Sequence, residues 1–217
     1  MTLPLAISMG DPAGIGPEIT LKALMAGQNA VVLGDLAVLR AAASLVGCDL
    51  PLRVVERPDQ VQPGQISIIE TSKSSTTPAL GEISAEAGKS AYDAIVAGIR
   101  LALNGQIAGL VTAPIHKEAL AAAGIKFPGH TEMLAHFAKA PHVAMMLAND
   151  AIRTVLVTIH MSLRDAITAA DFNANLRAIR LAHQGCQALG IFAPRVAVAG
   201  LNPHAGEGGL FGREEID

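Results

Sequence analysis

Seven histidines stand in this chain, at 116, 130, 136, 142, 160, 183 and 204. Imidazole is the side chain whose ordinary pKa suits acid–base work or metal ligation near neutral pH. Their neighbours separate them. Thr154-Val-Leu-Val-Thr-Ile-His160 is a β-branched apolar run ending on histidine, and Val196-Ala-Val-Ala-Gly-Leu-Asn-Pro-His204 predicts a second strand that stops just before one. Ligands of open α/β sheets bind in the crevice beyond the carboxyl ends of the strands, so His160 and His204 are expected to face a common space. Two imidazoles there could hold a divalent transition ion, although structural sites use four protein ligands and catalytic sites three. Both could equally be polar residues capping strand ends. The flank Ala205-Gly-Glu-Gly-Gly209 allows close backbone approach to a bound group, or makes a plain flexible turn.

His130 sits in Pro128-Gly-His-Thr-Glu132, a glycine turn leading into a helix. Thr131 can cap that helix, or it can aim its hydroxyl, with the first backbone N–H groups, at an anionic ligand. His136, His142 and His183 have no partner at metal spacing and read as structural or solvated. The run His130-Thr-Glu-Met-Leu-Ala-His136 lacks the i, i+4 histidine pair of a zinc-protease helix. Gly10-Asp-Pro-Ala-Gly-Ile-Gly16 follows a strand and opens a helix, the setting of a phosphate loop, yet it matches neither a dinucleotide fingerprint nor a Walker sequence. No Gly-x-Ser-x-Gly elbow occurs. Cys48 and Cys186 stand too far apart in sequence to suggest a disulfide framework or zinc knuckle and read as reduced, small hydrophobes.

The elements that must position these residues alternate between short aliphatic runs and longer stretches of helical period, which defines the class as α/β with a mostly parallel sheet. Strands are expected at 5–8, 30–33, 53–56, 66–70, 109–112, 142–147, 152–159 and 195–201. Helices are expected from Pro17, then over 36–46, 85–104, 116–123, 131–139 and 172–189. The strands at 53–56 and 66–70 have little between them and are expected to pair locally, in an antiparallel sense. Polar residues 72–81 read as a loop. The weakening of both periods over 124–130 places a lobe boundary near 125, giving lobes 1–125 and 126–217. Residues 211–217 begin a helix-like pattern with nothing behind it, so they are expected to fray.

Composition narrows the function classes. Hydrophobic residues make up 51% of the 217 and charged residues 16%, which excludes disorder. The net charge of −3 with no basic block gives nucleic acid no electrostatic grip. Asp35, Arg40, Arg100 and Asn104 interrupt the apolar stretches, so no membrane span is expected. The first residues show no secretory signal, which makes the cytoplasm the expected address.

Four motifs read together carry a resemblance: Ser8-Met-Gly-Asp-Pro-Ala-Gly-Ile-Gly-Pro-Glu-Ile19, Leu110-Val-Thr-Ala-Pro-Ile-His-Lys117, Gly129-His-Thr-Glu132 and Gly200-Leu-Asn-Pro-His-Ala-Gly-Glu207. In this order they strongly resemble the 4-hydroxythreonine-4-phosphate dehydrogenase (PdxA) family of vitamin B6 synthesis. The resemblance implies an isocitrate/isopropylmalate-dehydrogenase-like two-lobe fold, a homodimer and an active site in the cleft between lobes. It implies oxidation of 4-hydroxythreonine 4-phosphate by NAD or NADP to a β-keto acid that loses carbon dioxide, assisted by a divalent metal such as zinc, magnesium or cobalt. By position, His160 and His204 match two of the family's three metal histidines, and His130 with Thr131 match its substrate-contacting pair. Asp11 and the following glycines match the opening motif without an assigned role. The family's Tyr-His-Asp-Gln-Gly motif, with the third metal histidine, has no counterpart here, and neither do most of the cofactor contacts. The expectation is therefore a fragment lacking the carboxy-terminal part.

Three alternatives remain open at this stage: a paralogous dehydrogenase for another phosphorylated hydroxy acid, a binding module without redox chemistry, and a purely structural protein. The leading expectation is little or no turnover by this chain alone. Incubating it with metal, substrate and NAD(P) should give negligible cofactor reduction, and robust reduction would overturn the fragment reading.

Overall fold

Side-chain alternation along the strands lays out the amino-terminal part, because successive residues of a strand face opposite sides of the sheet. In the computed structural model, which describes residues 2–74 and 78–216, strand β1 (Leu5–Ser8) leads through helix α1 (Gly16–Met25) to β2 (Ala30–Gly34). Helix α2 (Leu36–Val46), β3 (Leu52–Val54), β4 (Ile66–Glu70), helix α3 (Ala85–Leu103), β5 (Gly109–Thr112) and helices α4 (Lys117–Ala122) and α5 (His130–Ala138) follow. The five strands form one parallel sheet in the order β3-β4-β2-β1-β5. Ile7, Met9, Val32, Ile66 and Ile68 pack on one face against Leu21 and Leu24 of α1 and Val38 and Leu39 of α2. Ala6, Val31 and Leu33 face the other way, toward Ala94 of α3. Behind α3, Ile95 and Ile99 meet Leu120 of α4 and Met133 of α5. Each fully buried Leu, Ile or Val contributes about 1.5–3 kcal/mol, so this two-sided apolar packing is what holds the layers together.

The ends of these helices follow local chemistry. Asp35 caps α2 by accepting from the N–H groups of Ala37 (2.8 Å) and Val38 (3.3 Å), and left-handed Gly47 (φ 64°) closes it. Ser84 caps α3 by accepting from the Ala87 N–H at 3.1 Å.

The chain divides into two compact units, Met1–Ala140 and Pro141–Asp217. The weakly patterned stretch 124–130, used above to separate two lobes, lies inside the first of them. In the second unit β6 (Met146–Ala148) and β7 (Arg153–Val155) form an antiparallel hairpin around Asn149, whose Oδ1 accepts from the N–H groups of Ala151 and Ile152. Helix α6 (Leu163–Ala169) follows Ser162, a cap bonded to the Asp165 N–H, and α7 (Phe172–Ala188) follows Asp171, bonded to the Ala174 N–H. Among the described residues no helix is long and apolar enough to cross a membrane.

Several expectations need correction. Strands β3 and β4 are parallel neighbours, not antiparallel, with Leu52 opposite Ile66. Val55 and Val61 pack against the Ala6–Val31–Leu33 cluster, so the connection has an apolar face that carries it back across the sheet. Residues 195–201 are not a strand, and β7 ends at Val155 well short of His160. Strand propensity needs a pairing edge, and no described strand pairs with either segment. Helix α6 was not anticipated, although Ser162-Leu-Arg-Asp165 has the spacing of a capping signal. The expected loop at 72–81 falls partly on residues 75–77, which lie outside the described residues. Residues 213–216 form a turn rather than the start of a helix, with Glu214 and Glu215 accepting from Asn202.

Two glycines of the opening motif are required by contact. A Cβ on Gly10 would lie 2.3 Å from the Pro114 carbonyl oxygen at a backbone φ of +74°, and one on Gly16 would lie 2.1 Å from the Met9 carbonyl oxygen. At Gly14 the nearest atom would be at 3.5 Å, an ordinary contact. Gly10→Ala and Gly16→Ala should each cost about 2–4 kcal/mol in chemical denaturation, while Gly14→Ala stays within about 1 kcal/mol. Equal losses at all three positions would refute the close-packing explanation.

Candidate functional site at the carboxyl end of the parallel sheet

Strands β1 and β5 are neighbours, but β1 feeds α1 on one face of the sheet and β5 feeds α4 on the other. Connections that leave adjacent parallel strands in opposite directions open a crevice at their carboxyl ends, where ligands of such sheets bind. The crevice floor is main chain. Ala113 donates its N–H to the Ser8 carbonyl (3.1 Å), and Asp11 donates its own to the Pro114 carbonyl (2.9 Å). Asp11 is buried, and its Oδ1 accepts from the Ala13 N–H at 2.8 Å, so its carboxylate shapes the turn into α1.

His130, the first residue of α5, reaches this floor. Its half-buried ring is hydrogen-bonded to the backbone of Ala113, and that bond favours the protonated ring, as donation from a ring N–H to the carbonyl oxygen does. Among the described residues its Nε2 is buried and has no hydrogen-bond partner. Burial is the larger influence and pulls the pKa below the ordinary 6.5. In a neutral imidazole one ring nitrogen carries the proton and the other presents a lone pair. That atom can accept from a ligand hydroxyl, take a proton from one, or bind a cation.

Thr131 is beside it, half-buried in the first turn of α5. The residue at the cap position is Gly129, with no side-chain cap bond, so the capping role considered for Thr131 falls away. His136 packs edge-on against Phe137 and tilts against Phe127, at ring separations of 4.9 and 5.3 Å, a structural role in the α5 packing.

His160 and His204 belong to the second unit, and both are exposed. Both have left-handed backbones, with φ of 52° and 53°, so neither ends an extended strand. The His204 ring tilts against Phe211 with centroids 6.2 Å apart. Among the described residues no three His, Cys, Asp or Glu side chains come together as a group able to hold a metal ion. The donors present therefore do not make a complete metal site.

Sequence reasoning missed two contributors. The Ala113 carbonyl that orients His130 is main chain, invisible to any residue-type search. Asp35 was noted above only for breaking an apolar stretch, although Gly34-Asp35 before an apolar helical run is a recognisable cap signal.

The fold defines an α/β protein with a parallel central sheet and a candidate site at a sheet switch point, and the comparisons define the family. The family model for pyridoxal phosphate biosynthetic protein PdxA matches residues 26–217. A protein of Beijerinckia indica named 4-hydroxythreonine-4-phosphate dehydrogenase is 57% identical over 98% of this chain and 65% of its own length. A D-threonate 4-phosphate dehydrogenase of Cupriavidus necator is 42% identical over 97% of this chain and 66% of its own. The crystal structure of the Klebsiella pneumoniae 4-hydroxythreonine-4-phosphate dehydrogenase superposes with a TM-score of 0.90 at 38% identity, covering 100% of this chain and 68% of that one. The chain belongs to the PdxA family. It spans about two thirds of the length of these relatives.

The lowered pKa of His130 has a sign that can be tested. The unfolded ring takes a proton more readily than the folded one, so the contribution is present above 6.5 and is lost as pH falls through the lower folded value. Melting temperature should therefore drop between about pH 7 and pH 5, and His130→Gln should flatten that drop. An unchanged acid limb in the variant would show that His130 is not held neutral.

Proposed function

We propose that this chain carries the substrate-facing crevice of a dehydrogenase for a 4-phosphorylated hydroxy acid, 4-hydroxythreonine 4-phosphate first among them. NAD or NADP is the hydride acceptor in this reading. The observation that carries it is His130, set at the β1–β5 crevice with an unpartnered Nε2, in a chain 57% identical to a relative with that name. In this reading Nε2 accepts the hydrogen bond of a substrate hydroxyl. Thr131 and the first N–H groups of α5 face the anionic end, because a helix amino terminus favours negative charge.

Oxidising the secondary alcohol moves a hydride to the nicotinamide and releases the hydroxyl proton. The product is a β-keto acid; its carboxylate leaves as carbon dioxide, the electrons of the broken C–C bond pass to the keto group as an enolate, and a proton from solvent replaces the carboxylate. His160 and His204 are proposed as two ligands of a divalent ion, zinc, magnesium or cobalt. They are not a complete set, so the roles assigned here rest on His130 and Thr131. The reading includes a homodimer of the isocitrate/isopropylmalate-dehydrogenase-like two-lobe type, with lobes over 1–125 and 126–217, acting in vitamin B6 synthesis.

D-threonate 4-phosphate is the second substrate candidate, favoured by the 42% and 40% identities to enzymes named for it. Calorimetric titration of the chain with each phosphorylated acid, and with inorganic phosphate as reference, decides between them. Saturable binding of 4-hydroxythreonine 4-phosphate is expected to be the tighter, weakened about tenfold by His130→Ala. Tighter binding of D-threonate 4-phosphate would reassign the substrate, and binding no stronger than that of phosphate would sink the proposal.

A further inference from the structure

The sheet has a second switch point. Strands β2 and β4 are adjacent and parallel, yet β2 feeds α2 on the first face and β4 feeds α3 on the second. By the same geometry that opens a crevice between β1 and β5, a crevice belongs here as well. Asp35 stands in it. Its side chain is 2% exposed. One oxygen accepts from the N–H groups of Ala37 and Val38 at the start of α2, and the other accepts from the Ser74 N–H at 2.5 Å, beyond the end of β4. Among the described residues three backbone donors from both walls thus converge on one carboxylate, the arrangement such crevices offer to a bound anion. The wall after β4 has two further ties: the Thr71 N–H donates to the Gly34 carbonyl (3.0 Å), and the Ser72 and Ser90 hydroxyls share a hydrogen bond (2.7 Å).

We infer that Asp35 is a positioning residue that acts as the resident anion of the β2–β4 crevice, fixing Thr71–Ser74 across it and leaving the β1–β5 crevice for a ligand. A cap alone would need only the oxygen bonded to Ala37 and Val38. The second oxygen, spent on Ser74 from 39 positions away, is what joins the two walls. This goes beyond the substrate reading and holds whichever acid the protein takes.

The test replaces the carboxylate and returns it from solution. In the whole chain carrying Asp35→Ala, amide hydrogen exchange at Ala37, Val38 and Ser74 should quicken about tenfold or more. Sodium formate should restore protection at all three amides saturably, whereas sodium chloride at equal ionic strength should not. An ordinary structural cap would show no formate-specific recovery at Ser74. Unchanged exchange at Ser74, or equal recovery with chloride, overturns the inference. Should Asp35→Ala fail to fold, Asp35→Asn serves, since it keeps the size but offers one acceptor oxygen to three donors. At least one of the three amides must then lose protection about tenfold, and full protection at all three overturns the inference.

Discussion

The contact between the turn after β1 and the turn after β5 is the constraint on which the rest of the amino-terminal unit depends. Residues 9–16 and 113–114 meet backbone to backbone, with no room for a Cβ at Gly10 or Gly16. That closeness lets the Asp11 N–H reach the Pro114 carbonyl and aims the chain into α1. It also fixes Ala113, whose backbone is hydrogen-bonded to the His130 ring. A motif that looks like a phosphate loop therefore serves a different end. Its glycines bring two strands' connections together and make the floor of a crevice.

Both crevices of the sheet arise from one topological fact, that connections leave neighbouring strands toward opposite helical layers. They differ in what occupies them. Between β2 and β4 the chain supplies its own carboxylate, and three N–H groups are satisfied internally. Between β1 and β5 a buried imidazole nitrogen is left without a partner. A buried polar atom without a hydrogen bond costs about 1–3 kcal/mol, and the Ser8, Thr20 and Thr71 hydroxyls of the same unit share that state; His130 differs from them in being an imidazole, the group suited to acid–base work near neutral pH.

The second unit rests on different physics. Only Ala174 and Ala178 of α7 are buried, while Phe172 and Phe192 are 77% and 82% exposed. Its elements are defined by local devices: the Asn149 turn, the Ser162 and Asp171 caps, and the bonds from Asn202 to Glu214 and Glu215. His160 and His204 sit on left-handed backbone, which interrupts extended structure at both places. The apolar runs before them were legible as strand-like, but a strand exists only where an edge accepts its hydrogen bonds.

Sequence alone was enough for the α/β class, for the first four element positions to within a residue or two, and for the family, because periodicity, caps and motif order are local properties. It also singled out His130, Thr131, His160 and His204 as candidates. Tertiary structure alone decided that β3 runs parallel to β4, that Gly10 and Gly16 serve packing, and that Asp35 reaches Ser74. It likewise decided that Nε2 of His130 is buried without a partner among the described residues. The parallel pairing, the Gly10 contact and the Asp35–Ser74 bond each depend on a backbone atom brought from far along the chain, and residue types do not record where a distant carbonyl or N–H will arrive.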